Sequence, residues 1–398
     1  MTYAEKVYDL GEFFSQLEDK RPRPQIELER VVGGAFVMMA CRMGSLNALE
    51  QEQRNPFWRR WLGGAPASAD TMGRVYEGLE VGGLRLAIHR EYTRLKRNKA
   101  LRERHGVAVL IVDGHESSSS YLRCCPGCLQ RRIKTPEGER IQYYHREVLA
   151  MLSLERFPLL LDIEAQRPGE NEVGAALRLL GRILRRYPRA FQVVLGDALY
   201  LQAPVFEFLL AHHKDGIAVL KDETRDLFED VQGLFALEKP VVEVSGRTER
   251  RIWDISGLES WESLGRKIRV VRSLESKTIT RQRTGQEEKQ ASDWIWATTL
   301  PQEKASASQI IQHGHDRWLI ENRGLNEMVT YWSANHVYRH HPTAIIAFLL
   351  TLMFVLNLFR AFLSLNIKPV RRKRHTELYF ARLLFAGLQE EVVRIRSA

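Results

Sequence analysis

The stretch GVAVLIVDG, residues 106–114, decides the fold class of this 398-residue chain. It is a continuous apolar run, rich in Val and Ile, that ends in an acid. Such a run is typical of a β-strand that is buried on both faces of its sheet. A strand of this kind needs a layer of helices on each side. The stretch therefore predicts an α/β layered domain.

The segments around this strand differ in their patterns. Between residues 105 and 238 we expect three strands, a helix, a strand, a helix and a strand. Alternating apolar and polar residues then predict a small antiparallel unit of five strands. The predicted organisation begins with a helical N-terminal domain for DNA binding or an accessory role, residues 1–104. An α/β domain follows in two parts, residues 105–238 and 300–366, with a β-rich insertion between them at 239–299. A basic tail, residues 367–398, ends the chain.

Composition points to a basic globular protein. Lys and Arg number 59 against 49 Asp and Glu, so the formal net charge is +10 and the isoelectric point is about 9.5. A basic chain of this size often binds nucleic acid, although a generic basic protein remains the alternative. The four cysteines are too few for a disulfide scaffold, and the N-terminus lacks the apolar core of a signal peptide. These features predict a cytoplasmic, nucleoid-associated protein.

One segment has the apolar character of a membrane span. The stretch AIIAFLLTLMFVLNLF, residues 344–359, contains Thr351 and Asn357 and is followed by Arg360. A transmembrane helix needs about 20 apolar residues, and this run has 16. We therefore interpret it as a helix of the protein core, and we expect no membrane partner.

Three predicted strands end in an acid: Asp113, Asp162 and Asp197. In open α/β sheets the ligand crevice lies beyond the carboxyl ends of the strands. A helical crossover would place the strand of Asp197 beside that of Asp113 and parallel to it, with Asp162 farther out. Two adjacent carboxylates repel each other unless a cation lies between them, and hard oxygen ligands suit Mg²⁺ or Mn²⁺. Glu321 is the best third acid, and Arg317 lies four residues before it, although a surface ion pair would show the same spacing.

The set LIVDG, GDALY and ATTLP…HDRWLIEN resembles the DDE transposases of bacterial insertion sequences. More narrowly, it is similar to the cut-and-paste group whose last acid lies in a Tyr-x2-Arg-x3-Glu-x6-Lys signature. The resemblance implies an RNase H-like mixed sheet flanked by helices, with a β-rich insertion between the second Asp and the Glu. Arg317 and Glu321 fit the signature, whereas Gly314 and Met328 stand where it has Tyr and Lys. His313, His315 or Arg323 are candidates to replace those two residues.

The resemblance also implies a mechanism. Asp113, Asp197 and Glu321 would hold two Mg²⁺ or Mn²⁺ ions, with Arg317 orienting Glu321 or neutralising phosphate. The expected reaction is hydrolysis at the ends of the element, followed by attack of the freed 3′-hydroxyl on target DNA. The expected partners are both DNAs and a second copy of the chain in a homodimer. The alternatives are a catalytically inactive DNA-binding relative and a nuclease that does not transpose.

A Cys-x2-Cys motif at Cys125 and Cys128, with His145 beyond it, is a candidate zinc site. The fourth ligand would be Cys124, His115 or a distant residue, and reduced thiols without metal are the alternative. Related transposases share a similar stretch.

Two further sets of residues are candidates for DNA contact. Trp294 and Trp296 share a strand face and could stack on a base, although packing of the small β unit explains tryptophans equally well. The basic residues of the tail would contact phosphate or lie in solvent: Arg371, Arg372 and Lys373.

Overall fold

The computed structural model describes residues 2–136, 138–221, 225–281, 283 and 285–396. The helices are α1 (Thr2–Tyr8), α2 (Leu10–Ser15), α3 (Leu28–Ala40), α4 (Leu46–Gln51), α5 (Pro56–Leu62), α6 (Ala69–Glu77), α7 (Val81–Arg97), α8 (Glu172–Arg186), α9 (Ala203–Ala211), α10 (Asp226–Leu237), α11 (Ala307–Asp316), α12 (Asn326–Trp332), α13 (Pro342–Asn366), α14 (Pro369–Arg374) and α15 (Glu377–Arg396). The strands are β1 (Val109–Ser120), β2 (Leu129–Thr135), β3 (Gly138–Ser153), β4 (Leu159–Ala165), β5 (Val193–Gly196), β6 (Asp215–Val219), β7 (Val241–Ser245), β8 (Thr248–Leu258), β9 (Ile268–Thr280) and β10 (Glu287–Thr298).

The chain forms two compact units, each built from separate segments. Unit 1 consists of Met1–Arg102, Gly114–Leu179 and Glu321–Ala398. Unit 2 consists of Glu103–Asp113 and Leu180–Ile320. The segment boundaries that the sequence predicts, at 104, 238, 299 and 366, stay a prediction. Within those segments, the residues outside the described part of the chain are 1, 137, 222–224, 282, 284, 397 and 398.

The core of unit 1 is built around α13. Among the described helices α13 alone has the length and composition to cross a membrane, and 94% of its most apolar window is buried inside the protein. It packs against α3, α6, α7 and β4. Its polar residues also meet protein groups, since Asn357 is bonded to the backbone of Leu160 and Thr351 lies 3.3 Å from the Tyr76 hydroxyl. These contacts agree with the interpretation of this segment as a core helix.

The strand order of unit 1 is β2–β3–β1. β4 also pairs with β3, along Glu147 to Leu152, beyond the part of β3 that pairs with β2. Two arginines neutralise the acids of β4: Arg85 on α7 donates to Asp162 at 2.9 Å, and Arg178 donates to Glu164 at 3.0 Å. β2 was not predicted as a strand. Its exposed residues, Gln130, Arg132 and Lys134, are polar, and Arg131 on the other face is charged. The sequence therefore has little apolar alternation, and the pairing of β2 with β3 defines the strand.

The strand order of unit 2 is β1–β5–β6–β10–β9–β8–β7. β1, β5 and β6 run parallel, and the remaining pairs are antiparallel. The predicted order of strands and helices is found in the chain up to β6, apart from β2, and α10 follows as a further helix that was not predicted. The prediction of five strands in the β-rich part was wrong, because β9 is one continuous strand that pairs with β10 from Arg269 to Thr280. Its polar middle, which suggested a turn, instead carries Glu275, whose side chain binds Arg250 and His315.

Candidate active site

Asp113 and Asp197 occupy equivalent positions on neighbouring parallel strands. β1 pairs with β5 in the register Val109↔Val193, Leu110↔Val194 and Ile111↔Leu195. Two residues beyond the last pair, the same register aligns Asp113 with Asp197. Neighbouring strands lie about 4.8 Å apart, so the register brings Asp113, inside β1, next to Asp197, the residue that follows β5. The helical crossover expected from the sequence produces this arrangement. The prediction that the strands of Asp113 and Asp162 end in these acids was wrong, because β1 continues to Ser120 and β4 to Ala165.

The GDALY stretch turns the chain sharply after β5. The Asp197 carboxylate accepts a hydrogen bond of 2.9 Å from the Leu199 N–H and caps a short 3₁₀-helix, Ala198–Tyr200. The Tyr200 ring is buried and lies so close to Gly196 that a Cβ atom there would be 2.8 Å from it. Glycine at 196 therefore allows the tyrosine to pack, and the cap fixes the orientation of the Asp197 side chain.

A positive charge lies next to Asp113. Arg317 follows directly after α11, and its Nη1 is 3.7 Å from Asp113 Oδ2. Both side chains are largely buried, at 11% and 14% exposure. The Arg317 guanidinium also lies over the Trp318 ring, 4.4 Å from its centroid. α11 is anchored just before this point, because Asp316 binds Arg104 at 3.0 Å and His105 at 3.4 Å.

Glu321 lies in unit 1 and is half-buried. It is the second residue of a π-helical segment, Ile320–Leu325. The spacing of Arg317 and Glu321 suggested one regular α-helix, but α11 ends at Asp316 and the helix type changes before Glu321. Short π-helical segments are rare, and they frequently occur at functional sites.

The Transposase DDE domain family model matches residues 90–358, which is more than half of the chain. The chain belongs to this family. Membership implies transposase function with DNA as the partner, and the matched segment contains Asp113, Asp197, Arg317 and Glu321. The comparison with curated proteins found no match.

In this member of the family, position 314, for which the narrower resemblance predicts a tyrosine, has no room for a side chain. A Cβ atom on Gly314 would overlap the indole ring of Trp296. Met328, at the position of the signature lysine, is 2% exposed on α12 in unit 1. Gly314 and Met328 are therefore both packed in the interior of their own units.

The three candidates for replacing those residues have different surroundings. His313 is fully buried, and burial, helped by the charge of His105, lowers its pKa to about 4. His315 Nε2 lies 2.8 Å from Glu275 Oε1. Burial alone would raise the pKa of Glu275, but the hydrogen bond and charge of His315 hold it below its usual value. Arg323, in unit 1, forms ion pairs with Glu327 and Glu377.

The two tryptophans that were candidates for base stacking differ in exposure. Trp296 is fully buried, whereas Trp294 is half-buried, and their rings stack with centroids 6.1 Å apart. His315 packs edge-on against both rings. Trp296 therefore packs the interior of unit 2, and Trp294 is the one of the pair with exposed ring surface.

The basic residues of the tail lie on a short helix. Arg371 and Lys373 are exposed on α14, and Arg372 is half-buried. An exposed cluster of this kind is suited to phosphate contact.

The Cys-x2-Cys motif has a fourth partner that sequence reasoning missed. Cys125, Cys128 and His145 lie together with His340, and the four candidate ligand atoms are within 4.8 Å of one another. His340 is far from the motif along the chain, so no spacing pattern connects them. The one available signal was a pair of histidines directly before Pro342.

Proposed function

We propose that this protein is the DNA transposase of an insertion sequence and acts in the cytoplasm at the nucleoid. It would cleave phosphodiester bonds at the ends of its element and join the freed 3′-hydroxyl to target DNA. The observation that carries the proposal is the parallel register of β1 and β5, which aligns Asp113 with Asp197. Membership of the Transposase DDE domain family supports the same reaction class.

The donor set fits divalent cations. Paired carboxylates on adjacent strands are hard oxygen ligands, and a cation is already favoured there, since Arg317 lies next to Asp113. Asp113, Asp197 and Glu321 would hold two Mg²⁺ or Mn²⁺ ions. When bound, such ions activate the attacking oxygen and stabilise the leaving oxygen in an in-line displacement at phosphorus.

The protein's own residues have defined tasks in this proposal. The hydrogen bond from Leu199 keeps the Asp197 carboxylate in one orientation. Arg317 supplies a guanidinium that offsets the charge of Asp113 and can neutralise a phosphate oxygen. Trp294 and the exposed cations of α14 would contact the bound DNA. Two element ends must be brought together for cut-and-paste transposition, so we propose a homodimer in the end complex.

Cleavage of a plasmid tests the proposal. The substrate is a supercoiled plasmid that carries the gene with its flanking DNA, because the element's ends lie in those flanks. We expect nicking by the wild-type protein in Mg²⁺, none in chelator, and none by Asp197→Asn. Glu207→Gln is the matched control, since Glu207 is an exposed acid on α9 of the same unit. Equal nicking by Asp197→Asn would overturn the assignment of the site.

Two further outcomes separate the alternatives. A catalytically inactive DNA-binding relative is the alternative that rests on the absence of the Tyr and Lys of the signature, although all three acids are present. Binding without cleavage in both Mg²⁺ and Mn²⁺ would establish it. Cleavage without joining of 3′-ends to a second plasmid would instead indicate a nuclease on the same fold.

A further inference from the structure

Four side chains of unit 1, none of them one of the proposed catalytic acids, converge on one point. Cys125 Sγ and Cys128 Sγ are each 3.3 Å from His145 Nε2, and the two sulfurs are 3.6 Å apart. Cys128 Sγ is also 3.5 Å from His340 Nε2. The rings of His145 and His340 are nearly perpendicular, and the Nε2 atoms of both lie next to Cys128 Sγ.

The fold brings these side chains together through three parts of the chain. Cys125 and Cys128 form a tight turn before β2, in which the Cys128 N–H donates to the Cys125 carbonyl at 3.0 Å. β2 pairs with β3 in the register Leu129↔Tyr144, which places the turn beside His145. His340 lies in the segment that leads into α13.

The turn lies close to both of the other parts. A Cβ atom on Gly127 would lie 2.8 Å from Pro342 and 3.6 Å from His145. Glycine at this position therefore lets the turn approach the start of α13 and the face of β3 together.

Four of the six separations between the candidate ligand atoms approach those of a tetrahedral zinc site, and all six are within 4.8 Å. Zinc bonds of about 2.3 Å to sulfur and 2.0–2.1 Å to nitrogen would separate two sulfurs by about 3.8 Å and a sulfur from a nitrogen by about 3.6 Å. The observed separations of 3.6 Å and of 3.3–3.5 Å are close to these values. A disulfide requires sulfurs about 2.05 Å apart, and both cysteines are free thiols here.

The environment of the sulfurs also fits a metal ligand. The Cys125 N–H donates to Cys128 Sγ at 3.2 Å, which stabilises negative charge on that sulfur. The neighbouring Cys124 is exposed and lies outside the cluster. Two thiolates and two imidazoles select zinc over the hard cations that carboxylates bind.

We propose that Cys125, Cys128, His145 and His340 bind one structural Zn²⁺ ion. All four positions of the tetrahedron come from the protein, which leaves no open position for substrate and distinguishes a structural site from a catalytic one. The ion would join the turn before β2, the strand β3 and the segment before α13. Its role is to hold the start of the core helix against the sheet of unit 1.

Metal analysis of the full-length protein tests this proposal. The wild-type protein, purified without chelator, should contain about one zinc per chain. The double variant Cys125→Ser/Cys128→Ser and the single variant His340→Gln should retain less than about one tenth of that amount. Cys124→Ser and His336→Gln are matched controls, because both residues are exposed neighbours outside the cluster, and they should keep the full zinc content.

A spectroscopic measurement on the wild-type protein covers the case in which a variant fails to fold. Protein stripped of zinc and titrated with Co²⁺ should develop the visible bands of tetrahedral cobalt and a thiolate charge-transfer band. Added Zn²⁺ should then remove both. Wild-type protein that holds no zinc and gives no cobalt spectrum, or a cysteine pair that forms a disulfide in place of binding metal, would refute the proposal. Neither measurement depends on DNA cleavage.

Discussion

The indole ring of Trp296 occupies the space that a side chain at Gly314 would need. Trp296 is fully buried on β10, and Gly314 lies on α11, which packs against that strand. The helix and the sheet can approach this closely only because residue 314 has no Cβ. The glycine at 314 is thus matched by the tryptophan at 296.

We expect Gly314→Ala to destabilise the protein by about 1–3 kcal/mol or more, because the new methyl group must displace the indole. The same substitution should cost at least about 1 kcal/mol less in a Trp296→Leu background, since that variant leaves space next to residue 314. Urea unfolding of the two single variants and the double variant measures this coupling. Gly233→Ala on α10 is the control, because a Cβ there has nothing within 4 Å, and it should be neutral or slightly stabilising.

Removal of the Arg317 charge should have opposite effects on metal binding and on rate. The guanidinium lies 3.7 Å from Asp113 and therefore competes with a divalent cation for that carboxylate. We expect Arg317→Ala to lower the half-saturating Mg²⁺ concentration for plasmid nicking about three- to tenfold. The maximal rate should fall about 100-fold, because a donor to phosphate is lost. A higher Mg²⁺ requirement would contradict the competition, and Arg317→Lys should restore the wild-type Mg²⁺ requirement in part.

The buried amide of Asn357 closes a pair of hydrogen bonds with the backbone of β4. Its Oδ1 accepts from the Leu160 N–H at 3.0 Å, and its Nδ2 donates to the Leu160 carbonyl at 2.8 Å. Asn357→Leu would leave both backbone groups unpaired, so we expect a loss of about 2–5 kcal/mol of unfolding free energy. Thr351→Val on the same helix should cost less, because it leaves no backbone group unpaired: the Thr351 hydroxyl donates to the Ala347 carbonyl of its own helix, and beyond that only its 3.3 Å contact with the Tyr76 hydroxyl is lost. Equal losses from the two substitutions would show that the amide pair contributes little.

His313 should make the protein sensitive to acid. Burial, helped by the charges of His105 and Arg104 and opposed by Asp316, lowers its pKa from 6.5 to about 4. Between these values the unfolded chain binds a proton that the folded protein does not, so unfolding free energy falls as pH falls from 6.5 towards 4. From pH 7 to pH 5 this amounts to about 2 kcal/mol. Chemical unfolding at both pH values should show that His313→Gln loses less unfolding free energy than the wild type between pH 7 and pH 5. An equal loss in the two proteins would be evidence that His313 is not the source of the acid sensitivity.

Glu91 should make the protein less stable as the pH rises, which is the opposite of the effect of His313. Its side chain is 1% exposed on α7, and burial raises its pKa well above 4.5, although the neighbouring Asn357 lowers it. The folded protein therefore keeps a proton that the unfolded chain loses above pH 4.5, and unfolding free energy falls as pH rises from there. We expect Glu91→Gln to raise the urea midpoint at pH 8 relative to wild type and to change it less at pH 4. Glu29→Gln, an exposed position on α3, should change neither.

The sequence predicted the parts of this protein that depend on local pattern and general topology. The apolar run before Asp113 and the helical crossover before Asp197 were sufficient to place the two acids on adjacent parallel strands. The fourth cluster residue, His340, was not predictable, because only the folded chain brings it to Cys128. The complementarity of Gly314 and Trp296 was missed for the same reason. β9 was wrongly predicted as two strands, because the partners of its polar middle, Arg250 and His315, come from other elements.

The late position of α13 in the chain has a consequence for biosynthesis. α3, α6 and α7 pack against this helix, yet they leave the ribosome well before residues 342–366 are made. At about 5–20 residues per second, these early helices wait roughly 10–50 s for their apolar partner. During that interval their apolar faces are open to chaperones and to other nascent chains. Messages truncated before α13 should therefore yield aggregates or degraded chains rather than a folded fragment.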